Sequence, residues 1–259
     1  MKLNTFNTMV VLFVTILTNS LVTGQESYTC SGYEKGTLTL KSGKSIDTYI
    51  YIDYCNPHRF QSGLSTIDEK TFKQYASGKK IKNKSIETYK EKDVVSIALE
   101  NGKRFKRITY VDTYSGKKID LLPQRFILEQ VTDGKIKIYK RYYRTQNGFI
   151  YKPVSESWFN GGEDHYNFMT NNFEILVQTD EDKNPRNIWG TNLKTLFGDN
   201  EEVMAKFLDG GYEFREKFQE PAAFAANCDT AFFNALMEMV NDYNGVDAQG
   251  AQVSQLQIQ

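Results

Sequence analysis

The segment from Phe126 to Tyr143 decides the fold class, and its sequence is FILEQVTDGKIKIYKRYY. An apolar run ends at Val131, Asp133-Gly134 follows, and isoleucine then alternates with lysine. Alternation with a period of two is typical of a half-buried strand, and Asp-Gly is a preferred two-residue hairpin turn. The segment therefore predicts an antiparallel hairpin with one apolar face.

The same pattern recurs along the first two-thirds of the chain. A hairpin is predicted from Thr37 to Tyr54, with Leu40 opposite Ile46, and Asn101-Gly102 and Asn147-Gly148 lie between further strand-like runs. We expect type I′ turns at these dipeptides, because they tolerate positive φ at both central residues. Residues 30–178 are therefore predicted to form an antiparallel β meander that closes toward a barrel-like or sandwich domain.

Residues 186–245 are predicted to form a helical segment packed on the β domain, which makes the fold class α+β. Short helices are expected at 192–197 and 201–208, and a longer one from Thr230 to Tyr243, where apolar residues form one stripe. The stretch 180–185 is interpreted as a linker and the lysine-rich stretch 67–89 as a loop. The Gln-rich residues 246–259 are predicted to be a disordered tail.

Residues 1–24 have the three-part layout of a secretory signal peptide. Lys2 supplies a positive charge, an apolar run extends from Met9 to Leu17, and Val22-Thr23-Gly24 resembles a small-x-small cleavage site. This run of nine residues, in which only Thr15 is polar, is too short for a span that needs about 20. The chain is therefore predicted to be exported to the periplasm, the cell surface or the medium, without a transmembrane segment after cleavage.

Three cysteines leave at least one thiol unpaired within the chain: Cys30, Cys55 and Cys228. An exported protein can form disulfides, and Cys30 and Cys55 flank the first predicted hairpin. The predicted register places Cys30 opposite Asn56, so a disulfide with Cys55 needs a bulge. The alternative is two separate buried thiols.

The overall charge of zero conceals a split between the two parts of the chain. Residues 26–152 carry 25 Lys and Arg against 14 Asp and Glu, whereas residues 153–259 carry 6 against 18. The favoured interpretation is that the basic and acidic parts attract each other and dock. The alternative is a basic surface that faces an anionic glycan, lipid headgroups or an envelope protein. Export and the neutral overall charge count against nucleic acid.

Candidate chemistry is sparse. Neither His58 nor His165 has the local ligand spacing of a zinc site, so no metal or cofactor is predicted. Glu163-Asp164-His165 is the densest polar group in a predicted loop, but adjacent residues rarely point into one site. No recognised nucleophile, phosphate-loop or metalloprotease motif occurs in the sequence, so no catalytic residue is assigned.

Aromatic residues recur on the predicted strands and supply the candidate ligand-binding residues: Tyr49, Tyr51, Tyr139, Tyr143 and Trp158. Exposed aromatic rings on a sheet can stack on sugar faces. Tyrosine also favours strands for its packing alone, which is the competing interpretation.

Three motifs resemble those of exported β-rich proteins of unassigned function from Bacteroidota. They are the start Lys35-Gly36-Thr37-Leu38-Thr39-Leu40, the strand pair 126–139, and the helical piece 193–200 with a final helix ending at Tyr243-Asn244. In that group a Cys often follows the Asp that corresponds to Asp199, whereas this sequence has Asn200 at that position. The resemblance implies export and a β-then-helical layout, and it assigns no catalytic residue.

The sequence thus predicts an exported, non-catalytic protein of the cell envelope with a binding or structural role. Two alternatives stay open. One is a small-ligand carrier that uses the interior of a β-barrel. The other is a hydrolase of an envelope polymer, in which Glu163, Asp164 or His165 meets another polar group in one cleft.

Overall fold

The computed structural model describes residues 31–111, 122–142, 170, 173–214 and 230–245. Within them ten strands form one sheet in the order β10-β9-β8-β7-β6-β5-β1-β2-β3-β4, and every pairing is antiparallel. The strands are β1 Ser31–Leu40, β2 Ser45–Asp53, β3 Gly63–Ile67, β4 Glu87–Lys90, β5 Val94–Leu99, β6 Arg104–Tyr110, β7 Gln124–Gln130, β8 Ile136–Tyr142, β9 Phe173–Thr179 and β10 Arg186–Asn187. The predicted α+β class and antiparallel sheet are confirmed.

The helices are α1 Pro57–Phe60, α2 Glu69–Ala76, α3 Leu193–Phe197, α4 Glu201–Leu208 and α5 Thr230–Asn244. The three C-terminal helices lie where the sequence predicts them, and Asn200 caps α4 by accepting a hydrogen bond from the Val203 amide. Helix α2 replaces a predicted loop. Its signals are local, because the Asp68 carboxylate accepts from the Thr71 amide at 2.7 Å and Gly78, at φ 76, follows the last turn.

The turns differ from the prediction in their detailed geometry. In the first hairpin Leu38, not Leu40, lies opposite Ile46, because the Leu40 amide bonds to the Lys44 carbonyl and closes a shorter turn over residues 41–43. A shift by two residues keeps every side chain on its predicted face. Gly102 has φ 87, but Asn101 does not have positive φ, so this turn is not type I′.

The stretch 180–185 forms a turn of the sheet instead of a linker. Arg186 and Asn187 pair with Val177 and Leu176, so β9 and β10 form a hairpin. The Asp182 carboxylate accepts hydrogen bonds from the amide and hydroxyl of Thr179 at 2.9 and 2.8 Å. These contacts hold the turn against the end of β9.

One face of the sheet carries most of the core, and we call it the inner face. In the first half of the chain its centre is a buried cluster around Leu38, Ile50 and Phe60. In the second half a larger cluster joins β8 and β9 to α3, α4 and α5. The opposite, outer face carries α2 over β2 and a smaller buried cluster around Tyr139.

The sheet curls over its inner face near α1. The Gln61 carbonyl accepts from the Ile127 amide at 2.9 Å, and the Gln61 side chain exchanges two hydrogen bonds with the backbone of Tyr142. The Phe60 and Phe105 rings lie 4.7 Å apart. Since β6, β7 and β8 are several places away from β2 and β3 in the sheet order, these contacts need strong curvature.

Candidate functional site

An open groove lies where β2 and β3 diverge. These strands pair only at Tyr49–Ile67 and Ile50–Thr66, and beyond these pairs they leave a space of about 390 Å³. That volume falls in the range of small-molecule sites. The groove is lined by Tyr51, Asp53, Arg59, Phe60, Ser62, Gly63, Leu64, Ser65, Thr88, Tyr89 and Lys90.

Tyr51 lines one end of the groove, and two further tyrosines pack behind it. The Tyr51 ring packs edge-on against Tyr33 at 5.3 Å, and Tyr33 in turn contacts Tyr75 of α2 at 5.2 Å. Tyr51 and Tyr33 are half-buried, and Tyr75 is 38% exposed. The strand pairing and α2 therefore hold the Tyr51 ring in place at the groove.

The other end of the groove is polar and carries both signs of charge. Asp53 is fixed by hydrogen bonds from the backbone and side-chain amides of Asn56. Arg59 lies 3.8 Å from Asp53, but its side chain is 70% exposed, so the guanidinium is able to turn toward a ligand. Lys90 is exposed beside it. This end offers a carboxylate acceptor and two cationic donors.

Burial raises the pKa of two phenols at or near the groove. Burial, followed by the neighbouring Tyr51 and Tyr75, raises the pKa of Tyr33 above its ordinary value. Burial and the hydrogen bond to Glu87 raise the pKa of Tyr89 to about 12. Both hydroxyls are therefore neutral at pH 7, and the Tyr89 hydroxyl donates a hydrogen bond to Glu87.

The structure separates the tyrosines that the sequence grouped together. The strand registers place Tyr49, Tyr51 and Tyr139 on the outer face, but only Tyr51 lines the groove. Tyr49 is covered by α2, with its ring stacked 3.8 Å from the Phe72 ring. Tyr139 is fully buried, and burial raises its pKa to about 12. Tyr143 and Trp158 lie outside the described residues.

A buried ion pair elsewhere on the outer face is saturated with protein partners. Glu174 accepts hydrogen bonds from Tyr110, from Asn187 at 2.5 Å and from Arg141 at 2.7 Å. The Arg141 guanidinium also lies 4.9 Å from the Phe126 ring centre. Each carboxylate oxygen is used within the fold, so we assign this group to structure.

A carboxylate on the inner face has a similar structural environment. Burial acts to raise the pKa of Glu129, but Lys140 and Lys103 and a hydrogen bond from Tyr142 bring it below its ordinary value. Glu129 borders a cavity of about 20 Å³ beside Phe60. That space has room for about one water molecule.

Cys55 is buried and forms a disulfide. Cys30 and Cys228 lie outside the described residues, so the pairing of Cys30 with Cys55 stays a prediction. The ladder of β1 and β2 reaches the Ser31–Asp53 pair, which is two residues from Cys55.

The described residues contain no cluster of three His, Cys, Asp or Glu side chains suited to a metal ion. They also include no helix with the length and apolar character to cross a membrane. The polar group Glu163-Asp164-His165 lies outside the described residues.

Sequence reasoning missed the polar side of the groove. Arg59, Ser65, Thr88 and Lys90 belong to three separate segments, and nothing in their spacing indicates a shared site. They meet because β3 leaves β2 after two residue pairs while its other edge stays paired with β4. Comparison of the chain with protein-family profiles, curated proteins and solved structures finds no match.

Proposed function

We propose that the chain is an exported, non-catalytic protein of the cell envelope that binds a carbohydrate in the β2–β3 groove. The observation that carries this proposal is one groove that combines the Tyr51 ring with Asp53, Arg59, Ser65 and Thr88. An aromatic ring offers an apolar surface to the C–H groups of a sugar. Carboxylate, guanidinium and hydroxyl groups match the donors and acceptors of the sugar hydroxyls.

The groove suits a ligand with polar groups on its edges and one apolar face. Its volume, about 390 Å³, and its open shape suit one or two sugar units of a longer chain. Export rests on the predicted signal peptide, and the resemblance to exported proteins of Bacteroidota adds to it.

The curvature near α1 also supports a barrel-like closure of the sheet. We propose this closure on the contacts of Gln61 with Ile127 and Tyr142. Phe60 fills the inner face there, and the adjoining cavity among the described residues is about 20 Å³. The β2–β3 groove is therefore a better candidate for the ligand-binding site than a carrier cavity inside the sheet.

The proposal is tested by glycan-array screening of the mature chain, residues 25–259, followed by calorimetry on the sugars that bind. We expect Tyr51→Ala to weaken binding by about tenfold, because it removes the ring on which the sugar packs. Saturation-transfer NMR should show the protons of one sugar face closest to the protein.

Leu208→Ala is the matched control, because Leu208 is 64% exposed on α4 and distant in the sequence from the groove. It should bind with wild-type affinity. A mature protein that is folded by circular dichroism and binds no glycan contradicts the proposed function. Binding that Tyr51→Ala leaves unchanged contradicts the groove as its site.

A further inference from the structure

The lysine edge, which we define as residues 70–92, contains eight lysines and two glutamates. It comprises most of α2, the connection that follows, and β4 at one edge of the sheet. All eight lysines are exposed: Lys70, Lys73, Lys79, Lys80, Lys82, Lys84, Lys90 and Lys92. The fold therefore leaves the positive charge of the lysine-rich stretch exposed at one edge of the sheet.

The lysine edge is not neutralised within the described part of the chain. Of its eight lysines, Lys73 alone forms an ion pair with a described residue, namely Glu69 at 2.8 Å. The acidic C-terminal helices pack on β8 and β9, near the opposite edge of the sheet. In α5, Glu238 and Asp242 pair with Lys206 of α4 at 2.8 Å. Among the described residues, the docked C-terminal helices therefore do not pair with these lysines.

The groove and the lysine edge form a continuous surface. Thr88, Tyr89 and Lys90 of β4 line the groove, and Lys90 belongs to both features. Strand β4 pairs with β3 on one side only, so its other side is an edge of the sheet. A linear ligand that extends from the groove past Lys90 therefore meets Lys92 or the connection that carries Lys80, Lys82 and Lys84.

We propose that the groove and the lysine edge together bind a linear, repeatedly charged acidic polysaccharide, an inference that rests on the proposed carbohydrate function. The groove holds one or two units of the polymer, and Arg59 and Lys90 contact their carboxylate or sulfate groups. The lysine edge contacts the acidic groups of the following units. Lysine suits this role, because flexible point charges follow a polymer without demanding one geometry.

A polysaccharide fits this surface better than a membrane does. Binding to a lipid surface by an amphipathic helix needs apolar side chains that enter the bilayer. Helix α2 instead turns Phe72 toward Tyr49, and Tyr75, which is 38% exposed, packs on Tyr33. The exposed side chains of the lysine edge are mainly charged, and these rings of α2 pack on the sheet.

The test uses two matched pairs of polymers with the mature chain. Polygalacturonate is compared with its methyl-esterified form, and dextran sulfate is compared with dextran. We expect at least one acidic polymer to bind more tightly than its neutral partner, and we expect this advantage to fall as salt is raised. A monosaccharide should bind more weakly than an oligomer of ten units.

Two triple variants locate the charge effect. The test variant carries Lys80→Gln, Lys82→Gln and Lys84→Gln. The control removes the same charge from exposed lysines near the opposite edge of the sheet, through Lys135→Gln, Lys183→Gln and Lys194→Gln. The test variant should bind the acidic polymer about tenfold more weakly, the scale expected of three exposed ion pairs, and the control should bind normally.

The possible failures are distinguishable. If neutral polymers bind as tightly as acidic ones, and Tyr51→Ala weakens both, the groove function stands and the acidic specificity is wrong. If no polymer or glycan binds, the proposed function itself fails. Equal effects of the two triple variants would contradict the lysine edge as the contact surface. Binding to phosphatidylglycerol vesicles but to neither acidic polymer would overturn the inference in favour of a membrane.

Discussion

At the scale of single residues, Asn244 joins the last turn of α5 to the start of β8. Its side chain accepts a hydrogen bond from the Ile136 amide at 3.0 Å and donates one to the Ile136 carbonyl at 2.9 Å. The partners are 108 residues apart in the chain. Two hydrogen bonds to the backbone of one residue fix both the position and the orientation of the end of the helix.

Asn244→Ala is expected to lower the free energy of unfolding by about 1–3 kcal/mol, because the Ile136 amide loses its hydrogen-bond acceptor, whereas the Ile136 carbonyl keeps the hydrogen bond from the Thr132 hydroxyl. Urea denaturation of a protein that comprises residues 25–259 measures this difference. Asn234→Ala is the matched control, since Asn234 is exposed on the same helix and its loss should change stability by no more than about 0.5 kcal/mol. Equal losses in the two variants would show that the Asn244 contact contributes nothing.

Gly134 shows what the sequence can and cannot reveal about such a residue. Asp133-Gly134 correctly predicts the connection between β7 and β8. The predicted reason for the glycine, positive φ, is wrong, because Gly134 does not have it. A Cβ atom there would lie 2.5 Å from Cγ of Asn244, so the glycine makes room for a side chain from the far end of the chain. Such a reason is invisible to any local pattern.

At the scale of elements, periodicity and turn signals predict what depends on near neighbours. Helix α5 follows from its apolar stripe, and Phe232, Leu236 and Val240 are all buried. The sequence contains a capping residue before helix α2, Asp68, and a glycine after it, Gly78, but the lysine content of the segment favours a loop prediction. The groove was not predictable, because it depends on where β3 leaves β2. Tyr51 lines the groove whereas Tyr139 is buried, and this difference in exposure depends on which side chains cover each ring.

The cap of α2 gives a prediction that depends on pH. Hydrogen bonds from Thr71 hold the pKa of Asp68 below its ordinary value. A carboxylate with a lowered folded-state pKa stabilises the fold above its unfolded pKa, about 3.9, and this stabilisation is lost as pH falls through the folded value. Asp68→Ala should therefore increase hydrogen exchange of the Phe72 to Ala76 amides about fivefold at neutral pH.

The difference in exchange between wild type and Asp68→Ala should shrink when both are compared at a pH below the folded-state pKa. Gln74→Ala serves as the control, because Gln74 is exposed on the same helix and should not show faster exchange. A difference that is independent of pH would mean that Asp68 does not act through its charge.

At the scale of the whole molecule, apolar packing joins the acidic helices to the basic sheet. The C-terminal helices share one buried cluster with β8 and β9, which includes Ile138, Ile175 and Leu236. Two described ion pairs do join the basic and acidic parts of the chain. Arg141–Glu174 connects β8 to the neighbouring strand β9, and Lys137–Asp180 connects β8 to the turn after β9, so neither involves the C-terminal helices. The charge difference is therefore not needed to explain how the helices dock.

This packing predicts which change loosens the molecule. Leu236 is fully buried, so Leu236→Ala should lower the free energy of unfolding by about 2–5 kcal/mol, whereas Leu208→Ala, at an exposed position, should change it by no more than about 0.5 kcal/mol. Because apolar contacts are not screened by ions, the cost of Leu236→Ala should be the same in urea titrations at low and at high salt. If charge attraction held the helices instead, high salt would destabilise the wild-type protein and make the cost of Leu236→Ala smaller. Salt would then act on the contact between the two parts of the chain and not only on binding at the lysine edge.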